Sequence, residues 1–356
     1  MREGPDHREE VVLHAIYPHE RGRLSLRGRG PGLDWHRDVP PARVDGDVST
    51  FRFPVTHGQP VELKLVRHDG AWMAGRNVVA GCGDELTLHP AFEGEHPPLE
   101  DWRTIAVPGG EALRFRVQLP PSYGEQPGLR YPVVYAQDGQ SLWSDSRDPQ
   151  GSWDLDRTLD DLWDLGALAE LVVVSIETAH GRLDKLGPIP DSRHGGGHGR
   201  AHLRAITDVL KPHVDRTYRT RADRASTALL GASMGGLFSF WAAWTRPDLF
   251  GTAVCLSSSF WWADRFLVRS VQGGTCPVQR PRLYIDSGAA ATGFEEDANT
   301  RDGIHNTRAM YRALLSHCYA PDDEVHVIAW PGQRHDPASW SSRVAFPLQL
   351  LFPGRA

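Results

Sequence analysis

Short runs of apolar and small residues recur through the C-terminal two-thirds of the chain at 133–136, 171–176, 225–230, 253–256, 283–285 and 325–329. Runs of this length with no polar alternation fit strands buried on both faces of a parallel sheet. Between them apolar residues return every three or four positions. Leu237, Phe238, Phe240, Trp241 and Trp244 keep that spacing until Pro247 stops it, and 203–218 carries a second such pattern. Two further runs, 104–107 and 113–119, flank Pro108, Gly109, Gly110 and Glu111 and predict an antiparallel hairpin. Alternation of strand and helix after an opening hairpin predicts an α/β fold with a mostly parallel sheet covered on both faces.

The first 93 residues read differently. Segments 22–28, 49–53, 61–66 and 85–88 alternate apolar with polar residues and are separated by turn formers, the pattern of a small antiparallel β-sandwich. The stretch 92–99 is polar and holds Pro97 and Pro98, as a linker does. We therefore expect an N-terminal sandwich over 1–95 and a catalytic domain over 96–356. The segments around Trp35 and Trp72 look like the starch-binding-type or early-set immunoglobulin-like modules that precede many hydrolases. For these two tryptophans packing is the expected role, with stacking on sugars the alternative.

Composition narrows the partners. At 356 residues, with 40% apolar content and a net charge of −6, the chain is an ordinary globular one whose charge disfavours nucleic acid. The charged N-terminus and the lack of a long apolar run predict neither signal peptide nor membrane partner. Cys82, Cys255, Cys276 and Cys318 are scattered without close pairing, which favours a reducing, cytoplasmic setting over a disulfide scaffold or zinc site.

The chemistry concentrates at Gly231-Ala232-Ser233-Met234-Gly235-Gly236, a G-x-S-x-G pattern between a predicted buried strand and a predicted helix. A serine on such a turn becomes a nucleophile when a histidine takes its proton and a carboxylate orients that histidine. In the α/β-hydrolase architecture acid and base follow the serine in that order. His335, just past the last apolar strand, is the expected base. For the acid Glu296 is preferred, then Asp297, with Asp286 third, and a Ser-His dyad is also workable. The oxyanion donors are expected to be the N–H of Met234 and that of Gly139 or Gln140, in the loop after 133–136. His194, His198 and His202 stand four apart, but the glycines among them argue for a flexible loop and no metal. Trp261 and Trp262 follow the strand beside the nucleophile loop, so at least one is expected to line the acyl pocket.

These blocks resemble, in order, those of the Putative esterase family of α/β-hydrolases, and within it the enterochelin (enterobactin) esterases. Asp138-Gly139-Gln140 with Trp143 is similar to the family's D-G-Q block, and Gly231 to Leu237 to its nucleophile block. Ser257 to Trp262 is similar to its serine-rich strand end with paired aromatics, and Gly332 to Asp336 with Trp340 to its G-G-H-D…W ending. The resemblance spans about 100–353. It implies a serine carboxylic-ester hydrolase with Ser233 as nucleophile and His335 as base, no cofactor, and a small-molecule ester as substrate. Extended to substrate, it implies a free or ferric catecholate siderophore trilactone held by Trp261, Trp262 and Arg182, as in iron transport. A feruloyl or carbohydrate esterase, an acyltransferase and a non-catalytic binding protein on the same scaffold are the alternatives. The sequence departs from the family where its usual acid would fall, at Ala291, and has Gln333-Arg334 before the histidine.

Overall fold

A computed structural model of the chain describes residues 8–93, 96–289, 303–317 and 319–354. The strands of the N-terminal unit are β1 (Arg8–Ile16), β2 (Leu24–Arg29), β3 (Arg43–Asp45), β4 (Val48–Thr56), β5 (Val61–Arg67), β6 (Val78–Ala80) and β7 (Glu85–Leu88). They form two sheets, β3-β4-β1-β7 and β2-β5-β6. Alternation along the strands sends Leu13, Phe51, Phe53 and Val55 from one sheet and Leu26, Leu63 and Leu65 from the other into one shared apolar cluster.

The second unit holds β8 (Arg103–Ile105), β9 (Leu113–Gln118), β10 (Val133–Ala136), β11 (Val172–Ile176), β12 (Thr227–Ala232), β13 (Thr252–Leu256), β14 (Arg282–Ala289) and β15 (Val325–Pro331). They make one sheet in the order β15-β14-β13-β12-β10-β11-β9-β8. The six central and distal strands run parallel, while β9 joins β11 and β8 joins β9 antiparallel. Every residue of β10 to β13 is buried, which is why these strands read as runs of apolar and small residues. Successive side chains then divide between two cores. Val133, Tyr135, Leu229 and Cys255 pack with the helix Met234–Thr245 on one face, and Val134, Ala136, Leu230 and Val254 pack with the helices Leu155–Asp164 and Ala345–Leu351 on the other.

Two sequence expectations are corrected here. The glycine-bearing histidine segment is not loop throughout, because a helical stretch starts at Gly199 and runs through a π-helical turn, Ala205–Leu210, to Thr217. Cys276 is disulfide-bonded while Cys82 and Cys255 are free, so the scattered spacing did not exclude a disulfide. Spacing cannot reveal a pair that only the fold assembles. Among the described residues no helix is long and apolar enough to cross a membrane.

Candidate active site

Strand β12 ends at Ala232, and the chain turns into the helix Met234–Thr245 through Ser233, whose backbone is left-handed at φ 56° and ψ −120°. A side chain in that conformation costs about 1–3 kcal/mol and persists only where the surroundings impose it. The turn is gripped on both sides. Ser233 N–H donates to the Leu256 carbonyl at 3.0 Å, and the Ser233 carbonyl accepts from Ser259 and Leu237, each at 3.0 Å. Strand and helix meet so closely that a Cβ on Gly231 would lie 2.4 Å from the Gly235 backbone. The small residues of the sequence pattern are thus a packing requirement.

His335 reaches this turn from the opposite edge. After β15 the loop carries it to the start of the helix Pro337–Ser341, whose first turn is capped by Asp336 accepting from Ser339 N–H at 2.8 Å. The Nε2 of His335 lies 2.9 Å from Ser233 Oγ, and the ring meets Trp340 edge to face with centroids 5.2 Å apart. A second hydroxyl, Ser259 Oγ, stands 3.3 Å from Ser233 Oγ. Glu296 and Asp297 lie outside the described residues. Asp286, the third candidate acid, is committed elsewhere. It is fully buried and accepts from Ser257 N–H at 2.9 Å, Arg343 at 3.0 and 3.1 Å, Tyr284 at 3.0 Å and Trp330 at 3.1 Å. Burial raises its pKa further than Arg343 lowers it.

Met234 opens its helix, so its N–H is one of those the helix leaves without an internal acceptor. The loop after β10 turns at Asp138, also left-handed at φ 59°. Gly139 backs onto β11, where a Cβ would sit 3.0 Å from the Ser175 and Ile176 backbone, while Asp138, Gln140 and Ser141 face the site. Arg182 grips Asp138 with two bonds of 2.7 Å. Burial of Asp138 would push its pKa up, but Arg182 and the Thr178 hydroxyl hold it below the usual carboxylate range. Arg182 therefore lines the site as half of an ion pair.

Ser233 and His335 open into a cavity of about 840 Å³. Its aromatic walls are Trp153 and Trp340, rings 5.7 Å apart, and its charged lining includes Arg334, Asp148 and Asp336. Neither Trp261 nor Trp262 lines it. Trp262 is fully buried, donates to the Ile189 carbonyl at 2.8 Å and is covered by Gly187 and Gly196, so the expectation that its ring meets a ligand gives way to packing. Trp261 is 38% exposed and sits edge-on to His194, centroids 5.2 Å apart. Trp153 and Arg334 were missed by sequence reasoning. Only Arg334 had a local signal, its place beside His335. The three spaced histidines also part company: His198 is 3.6 Å from Asp184, His194 is 2.7 Å from Asp191, and His202 is buried against Gln137, its pKa depressed to about 3 by burial.

Three proteins show what this chain is similar to. The uncharacterized protein YbbA of Bacillus subtilis (strain 168) is 28% identical over 218 residues, which cover 59% of this chain and 80% of that protein. The ferri-bacillibactin esterase BesA of the same organism is 30% identical over 132 residues, 36% of this chain and 45% of that protein. Among solved structures, the enterobactin esterase FES of Shigella flexneri superposes with a TM-score of 0.54 at 15% identity, covering 98% of this chain and 94% of that one, a likeness of fold. A family model described as Putative esterase matches residues 108–346, more than half of the chain, and the chain belongs to that family of esterases.

Proposed function

We propose that this protein hydrolyses a carboxylic ester through an acyl-enzyme on Ser233, with His335 as base and then acid. The observation that carries the reading is the 2.9 Å contact of His335 Nε2 with a serine hydroxyl held on a left-handed turn and open to a cavity. His335 takes the Ser233 proton as Oγ bonds to the ester carbon, and the carbonyl electron pair moves onto oxygen, met by Met234 N–H and a donor from Gly139 or Gln140. Collapse restores the carbonyl and breaks the ester C–O bond, and the alkoxide leaves with the proton from His335. Water then repeats the sequence on the acyl-enzyme. Glu296 or Asp297 is the proposed orienting acid.

For substrate we favour an aryl-bearing ester of the catecholate trilactone class. Trp340, 8% exposed beside His335, lines the cavity with Trp153 packed behind it, and Arg334, which has no ion-pair partner among the described residues, offers positive charge to an anionic catecholate. The name of the BesA relative, a ferri-bacillibactin esterase, supports the same class. The chain is read as two units, 1–95 and 96–356, the first a β-sandwich of immunoglobulin-like kind, on the strength of its two sheets and separate core.

The test compares hydrolysis of a catecholate trilactone, a feruloyl ester and nitrophenyl acetate by wild type and Ser233→Ala. Loss of about 10⁴-fold in kcat in the variant is expected on every ester turned over. Undiminished turnover would refute the serine mechanism, and preference for the feruloyl ester would refute the catecholate assignment alone.

A further inference from the structure

A second cavity, of about 470 Å³, lies where the two units meet and shares no lining residue with the one at Ser233. Its apolar wall joins Leu88 and Ala91 of the N-terminal unit to Trp163 and Leu168 of the other. The volume falls in the range of small-molecule sites, and the wall is of the apolar kind such sites use.

The charged groups at this cavity are unevenly paired. Arg221 N–H donates to the Tyr131 carbonyl at 2.8 Å, and a parallel bridge pairs Tyr131 with Thr220, so Arg130 and Arg221 stand diagonally across this short pairing, on the same side of it. Both side chains are exposed and line the cavity. Arg130 donates to the Thr220 carbonyl at 3.3 Å, and neither guanidinium has a carboxylate partner among the described residues. Two acids of the same cavity have cationic or imidazole partners, and the third, Glu170, is half-buried against a neutral serine, burial raising its pKa. Asp164 lies 3.0 Å from His96, Glu93 lies 3.2 Å from Arg21, and Glu170 accepts from the Ser122 hydroxyl and N–H. Two exposed arginines with no carboxylate in ion-pair contact among the described residues, at the rim of a cavity with an apolar wall, suit a ligand with one anionic head and a flat apolar body. The planar guanidinium fork matches a carboxylate head in particular.

We propose that the junction cavity binds an amphiphilic aromatic monocarboxylate, its head on Arg130 and Arg221 and its ring beside Trp163. Such a ligand touches both units and ties them together. The proposal does not depend on the esterase mechanism.

The test measures binding of 2-naphthoate to the full chain by equilibrium dialysis, with 2-naphthamide as the uncharged isostere. Saturable binding is expected. It should weaken about tenfold or more for the amide and in the Arg130→Gln/Arg221→Gln double variant, as loss of hydrogen bonds to a charged group implies. Ala91→Trp, which fills the cavity, should remove it in protein whose melting temperature shows a native fold. Arg334→Gln, at the other cavity, should leave it unchanged. Absence of saturable binding, equal affinity for the amide, undiminished binding in the double variant, or loss of binding in Arg334→Gln would each overturn the proposal.

Discussion

Asp286 and Arg343 expose none of their side chains, yet they are three contacts away from His335. Arg343 donates to Ser257 Oγ at 2.5 Å, Trp340 donates to the same oxygen at 2.9 Å, and Trp340 packs against His335. Ser257 itself is left-handed at φ 43°. The ion pair thus holds a strained turn and the indole that packs against His335. Removing one partner leaves an uncompensated buried charge, so Arg343→Met should cost about 3–5 kcal/mol in urea unfolding, and Arg343→Met/Asp286→Leu should recover part of it. If the pair also positions His335, kcat on any accepted ester should fall in the double variant more than KM changes. The same geometry moves the aromatic prediction. Trp340→Ala should lower kcat/KM for an aryl ester more than for an acetyl ester, whereas Trp261→Ala should leave their ratio unaltered, a comparison that steady-state kinetics decides. The meeting of Ser233 with His335 was legible because a G-x-S-x-G turn demands small residues at fixed local offsets and His335 follows the last strand. The role of Asp286 was not legible, since its partner Arg343 is 57 residues away and nothing local to either marks the pair.

The central strands were legible because burial on both faces leaves mostly apolar and small residues, and the predicted runs fall within or beside the observed strands. The edges were harder. The run expected at 225–230 is the strand Thr227–Ala232, because Ala232 continues the ladder up to the turn itself. Trp262 was misread because proximity to a strand end does not fix the direction of the next helix. The segment read as a linker holds another device, at His96, that its composition concealed. His96 lies between two carboxylates of the helix Leu155–Asp164, with Nδ1 2.5 Å from Asp160 and Nε2 3.0 Å from Asp164. Burial lowers the His96 pKa, but the two carboxylates outweigh it and the net shift is upward. A raised folded value means that the stabilisation is present in full below the unfolded imidazole pKa of about 6.5 and is lost as pH rises through the folded one. His96→Gln should therefore lower the melting temperature most in mild acid and least at alkaline pH. Asp160 and Asp164 are partly exposed, which limits the effect to about 1 kcal/mol. A pH-independent difference between the two proteins would remove the charge from the account and leave only packing.

At the scale of the whole molecule, the strands β1 to β7 and the sheet β8 to β15 are joined through buried side chains. Glu125 of the catalytic unit is buried against the N-terminal one, where it accepts from the Tyr17 hydroxyl at 2.5 Å, from Phe92 N–H at 2.8 Å and from Glu93 N–H at 3.2 Å. Arg67 stands 3.5 Å from the same carboxylate. Gln126 adds bonds to the Ile16 and Pro90 carbonyls at 3.2 and 2.6 Å. One carboxylate thus satisfies three donors that the junction shields from water. Glu125→Leu would fill similar space but leave Phe92 N–H and the Tyr17 hydroxyl without an acceptor, at about 1–3 kcal/mol for each buried group. The loss should fall on the junction, because every residue lining the cavity at Ser233 comes from the catalytic unit. The variant is expected to be cleaved faster by protease within 93–99 while keeping wild-type kcat/KM per folded molecule. Cleavage at the wild-type rate would assign the junction to its apolar contacts, and a parallel fall in kcat/KM would show that the N-terminal unit acts on the catalytic site through this contact.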